Sequence, residues 1–158
     1  MKRKTAMIGG VGVLVLTGAA VALWPAGATE APGQILRWQD AAVVAEGAGI
    51  YAAYCAACHG LDLEGQPDWQ VRLPNGRLPA PPHDASGHTW HHPDAQLIDL
   101  TTRGTAAVVG GGYESDMMGF GDVLTEEEII AVLSYIKSTW PPEVIVIHDE
   151  ITAQSVLR

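Results

Sequence analysis

Cys55-Ala56-Ala57-Cys58-His59 is the segment of this chain best equipped for chemistry. Two thiols three positions apart can each form a thioether to one vinyl group of a single haem. The adjacent histidine then lies under the iron as a fixed axial ligand. These are the only two cysteines among 158 residues, so none is left for another structural role. Three other chemistries use the same residue types. A Cys55–Cys58 disulfide would close a very small loop and stabilise little, since the benefit grows with loop length. A thioredoxin-like redox pair needs a βαβ setting, whereas a helical pattern leads into this motif. A zinc site needs a second pair of ligands, which only histidines further along could supply. The spacing points to one covalent haem c, with thioethers at Cys55 and Cys58 and His59 as proximal iron ligand.

An iron bound by one histidine has a sixth position, and its occupant decides the function. Methionine gives an electron carrier of raised potential, whereas an open position admits small ligands or peroxide. The stretch Tyr113-Glu114-Ser115-Asp116-Met117-Met118-Gly119-Phe120-Gly121 supplies two thioethers. At least one of Met117 and Met118 must be ordinary packing, because one iron position is vacant. His83, His88, His91 and His92 crowd into ten residues. They could form a copper or zinc site, replace methionine on the iron, or line a polar loop beside the haem propionates. No cysteine and no tight pair-of-pairs spacing favours the metal.

The elements that must position these groups read as helices separated by long loops. A helix fits from Asp40 to about Cys55, with Asp40 as N-cap and Val43, Val44, Gly47, Ile50, Tyr51 and Tyr54 on one face. From Gly60 to His92 the chain is rich in Pro and Gly and has little periodicity. So long a loop is unusual in a compact domain, unless it wraps a large apolar cofactor. A second helix fits from His92 to Arg103, with Pro93 at its first position and Gly104 just past its end. A loop from Thr105 to Asp122 follows. A third helix starts at Thr125, where Thr125 and Glu128 form a capping box, and Pro141-Pro142 stops it. The segment 143–158 is a tail with helical potential, and no second C-x-x-C-H occurs.

Residues 1–28 hold Lys2, Arg3 and Lys4, then an apolar run from Ala6 to Trp24, then Ala26-Gly27-Ala28 as an A-x-A-like cleavage site. The run has about the length of a membrane span. Both a cleaved signal peptide and a retained membrane anchor export the rest of the chain. Removing this segment takes the formal charge from -9 to -12 and leaves one lysine, Lys137. Such an acidic globule is a poor partner for nucleic acid. It fits redox proteins with a basic or neutral docking face.

From about Asp40 to Trp140 the chain resembles a single-haem class I cytochrome c of bacterial type. The resemblance rests on Gly47 four residues before Tyr51, CAACH, a Pro-rich loop, MMGF-G-x-L and a last helix reading VLSYIKSTW. It implies an all-α fold of three core helices and long loops wrapped round one covalent haem c. The first and last helices would cross at Gly47, Tyr51, Val132 and Tyr135. Aligning on Phe120 makes Met117 the distal iron ligand and puts Met118 where the family usually has proline. The resemblance also implies that a proline carbonyl, of Pro81 or Pro82, accepts a hydrogen bond from the proximal imidazole. Trp90, Arg77 and Arg103 are the candidates for holding propionates. The organisation so read is a signal or anchor at 1–28, a linker at 29–39, a cytochrome c domain at 40–142 and the tail. The implied function is electron transfer on the periplasmic side of the inner membrane, without catalysis. The rivals are an open-site peroxidase or sensor, and a cytochrome subunit fixed in a membrane oxidase or dehydrogenase.

Overall fold

A computed structural model describes residues 32–157; the expected signal or anchor lies outside them. The described residues are all-α, with no strand. The helices are α1 (Ala41–Tyr54), α2 (Ala56–His59), α3 (Asp94–Arg103), α4 (Thr105–Val109), α5 (Glu126–Ser138) and α6 (Pro142–Ser155). A 3-10 turn, Thr89–His91, precedes α3. No helix among the described residues is long and apolar enough to cross a membrane.

Local chemistry sets the helix ends. The Asp40 carboxylate accepts from the amides of Ala42 and Val43 at 3.0 and 3.3 Å, which caps α1. The Thr125–Glu128 capping box opens α5, with each side chain bonded to the other's backbone amide. Helix α3 begins at Asp94, and Pro93 stands at its N-cap with extended backbone, one position earlier than the sequence implies. The expected loop after Arg103 contains a short helix, α4. Its five residues are too few to show a period, and Gly110, Gly111 and Gly112, all at positive φ, end it.

The core forms where α1 crosses α5. A Cβ on Gly47 would collide with the Ala131 carbonyl, so only glycine lets the two backbones meet there. Tyr51 and Tyr135 pack one turn further on, with ring centroids 5.5 Å apart. Leu36, Leu97, Phe120, Leu124, Ile129, Val132, Leu133, Ile136, Trp140 and Ile145 complete the apolar cluster.

Helix α6 packs on this core through polar groups. Asp94 is fully buried, and its Oδ2 accepts from the amides of Ile35 and Leu36 at 2.7 and 2.9 Å. Its Oδ1 accepts from the Thr152 hydroxyl at 3.3 Å and lies 3.5 Å from His148 Nε2. Lys137 is buried as well, its Nζ 2.5 Å from Asp149 Oδ1. The tail is thus a helix tied to α3 and α5, and the described surface carries no lysine.

Candidate haem site

Helices α1 and α2 are nearly continuous, and Cys55 is the joint between them. The amides of Cys58 and His59 both donate to the Cys55 carbonyl, at 3.1 and 2.9 Å. One helical turn therefore carries both thiols and the histidine. Cys55 is half-buried against the core cluster and Cys58 is exposed. The two sulfurs form no disulfide with each other. Burial, and then the neighbouring Cys58, push the Cys55 thiol up to about 11. A redox-active pair has the opposite property, a thiol whose pKa is lowered.

His59 is buried, and its Nδ1 lies 2.8 Å from the Pro81 carbonyl oxygen. A carbonyl only accepts, so Nδ1 carries the hydrogen and the Nε2 lone pair is left for a metal. Burial lowers the pKa of His59, and the Pro81 bond partly offsets this. Of the two prolines the sequence left open, Pro81 makes the bond. Its carbonyl is held in place from two sides. Gly65, at φ +68°, touches the backbone at the Pro81–Pro82 junction, where a Cβ would stand 2.6 Å from the Pro81 carbonyl carbon. Leu63, in the left-handed region at φ +65°, accepts from the His83 amide at 2.8 Å. The Gly60 carbonyl accepts from the Tyr51 hydroxyl at 2.9 Å, which ties the end of α2 to α1.

The methionine loop is pinned to the end of α3. The amides of Phe120 and Gly121 donate to the carbonyls of Thr101 and Thr102 at 2.9 and 3.0 Å. Gly104 and Gly119 let the two segments touch, since a Cβ on Gly104 would stand 2.7 Å from the Gly119 nitrogen. Met117 is half-buried and packs on the same apolar cluster as Cys55, whereas Met118 is 65% exposed.

Of the proposed propionate partners, Trp90 donates to the Ala85 carbonyl at 3.3 Å, and Arg103 pairs with Asp99 at 3.0 Å. Arg77 binds Asp116, next to Met117, yet its buried Nε has no acceptor; the nearest Glu114 oxygen is 3.8 Å away. The Trp38 Nε1 is a second buried donor without a partner. Thiols, a metal-ready imidazole, a thioether on the apolar cluster and unpaired N–H donors fit a haem with anionic propionates. Among the described residues, no three His, Cys, Asp or Glu side chains converge on a metal position.

The model of the cytochrome c family matches residues 44–140. The chain belongs to the cytochrome c family. No curated protein and no solved structure matches it. The helical architecture, with no strand among the described residues, agrees with that family. Haem-based electron transfer and contact with redox partners follow from membership.

His83 is the neighbour that sequence reasoning did not single out at this cytochrome's site. Its ring stacks on His59, with centroids 3.9 Å apart and planes 22° apart. Burial, and then the charge of His59, hold His83 well below the usual histidine range. Its Nδ1 lies 2.7 Å from the Thr89 hydroxyl, and its carbonyl accepts from the Trp140 indole at 2.8 Å. Only its place just after Pro81-Pro82 hints at this in the sequence.

Proposed function

We propose that this cytochrome c is a single-haem, class I carrier of bacterial type, working on the periplasmic side of the inner membrane. Cys55 and Cys58 hold the haem by thioethers, His59 is the proximal iron ligand and Met117 the distal one. Haem c, when bound, supplies an iron that alternates between ferrous and ferric. The protein's part is to keep the ligands unchanged through that cycle. The Pro81 bond and the His83 stack hold the His59 ring, and outer partners of this kind orient a ligand and raise its basicity. The glycine contact and paired hydrogen bonds at the end of α3 hold the Met117 loop. The exposed side of Ala57 and Cys58 serves as the electron port. The lysine-free described surface suits a redox partner with a basic or neutral face.

The observation that carries this reading is the contrast between adjacent sulfurs: Met117 sits on the core cluster and Met118 in solvent. A bound thioether closes the sixth position. The ferrous protein is therefore expected to resist carbon monoxide on mixing. Rapid saturation would show an open site and turn the reading to a peroxidase or sensor.

A further inference from the structure

The 3-10 turn Thr89–His91 folds the chain so that His88 and His92, on either side of it, face each other. Their Nε2 atoms are 2.9 Å apart. The other two clustered histidines have other main partners, although the His91 ring also meets the His88 ring with centroids 6.1 Å apart. His83 is bonded to Thr89 and stacked on His59, and His91 stacks on Trp90 with centroids 3.7 Å apart. We propose that His88 and His92 form a two-nitrogen site for a divalent transition-metal ion, with copper(II) preferred over zinc.

The separation of the nitrogens puts both within reach of one ion. With metal–nitrogen bonds of about 2.0–2.1 Å, donors at a right angle stand ~2.9 Å apart and donors at a tetrahedral angle ~3.4 Å. The observed 2.9 Å is the right-angle value. Tetragonal geometry with nitrogen donors is that of copper(II), which also binds more tightly than zinc in the general affinity order. Among the described residues no third histidine or carboxylate converges here, so water would complete the sphere.

The pair is prepared for binding. Each neutral ring has one N–H, and the short contact is one ring's N–H shared with the other's lone pair. Metal binding needs the hydrogen of both rings on Nδ1, a tautomer change that releases no proton. His88 is exposed, so a metal has access.

The test is titration of the haem-loaded protein with copper(II) chloride, followed by electron paramagnetic resonance and equilibrium dialysis. The expected result is one equivalent bound, with nitrogen hyperfine splitting from two imidazoles. His88→Ala and His92→Ala each remove it, and His91→Ala keeps it. Zinc is expected to compete poorly. Should an alanine variant fail to fold, His88→Gln keeps a polar side chain of similar reach and removes the ring. Copper binding that survives loss of His88 or His92, or no binding at all, overturns the proposal. The splitting reports on these rings, so a wrong assignment of the haem ligands would leave this outcome unchanged.

Discussion

His59 Nδ1 donates to the Pro81 carbonyl over 2.8 Å, and Gly65 keeps that carbonyl in position. An alanine at 65 would be strained at φ +68° and would press on the Pro81–Pro82 backbone. Gly65→Ala is expected to weaken the bond to His59 and make the imidazole a poorer donor to iron. A poorer donor stabilises the ferric state less, so the haem reduction potential should rise. A potentiometric titration reads this directly. An unchanged potential in a folded variant would remove the Pro81 bond from the account.

Gly47 lies against the Ala131 carbonyl at the crossing of α1 and α5. The obstacle is backbone, so it has no rotamer to escape into. Gly47→Ala should cost about 3 kcal/mol or more, the upper range for overpacking a core. Thermal melts by circular dichroism check this. Gly49→Ala is the control, since a Cβ there meets nothing within 4 Å and should be tolerated.

Lys137 has no exposed side-chain surface, and Asp149 is its partner at 2.5 Å. Asp149→Ala leaves a buried ammonium without its carboxylate, which typically costs about 3–5 kcal/mol. Replacing both, Lys137→Met with Asp149→Ala, should recover most of the loss. Denaturant unfolding of the single and double variants checks it. A double variant no more stable than the single would show that the charge is not the cause.

His148 is buried between Asp94 and Asp149, with Lys137 and the Trp140 ring also against it. Burial, then the Lys137 charge, lower its pKa to about 4 against the two carboxylates. Between that value and about 6.5 the unfolded chain binds the proton and the folded chain does not. This contribution to stability is therefore complete above pH ~6.5 and lost progressively as pH falls towards 4. His148→Gln should flatten the stability–pH curve in that window relative to wild type. Denaturant midpoints at half-unit pH steps measure the difference; parallel curves would contradict it.

The parts legible in the sequence are those fixed by neighbours. Asp40 caps α1 through amides two and three residues away, and the Thr125–Glu128 box is equally local. Cys55 to His59 fall on one helical turn for the same reason. What was hidden depends on distant partners. Pro81 over Pro82 is decided by Gly65 and by the left-handed backbone at Leu63. Asp94 looks like a helix-start acid, yet it accepts amides 58 and 59 residues away and faces His148 on α6. The histidine cluster separates into a stack on His59 and a facing pair only once the turn at 89–91 is formed.

The central claim is that Met117, together with His59, would supply the protein ligands to the haem iron. The most direct measurement is the absorption spectrum of the oxidised haem-loaded protein beside Met117→Ala and Met118→Ala. The account predicts a weak far-red sulfur-to-iron band in the wild type, lost with Met117→Ala and retained with Met118→Ala. Loss only with Met118→Ala would contradict the assignment of the ligand. Absence of the band from the wild type would contradict histidine–methionine ligation itself.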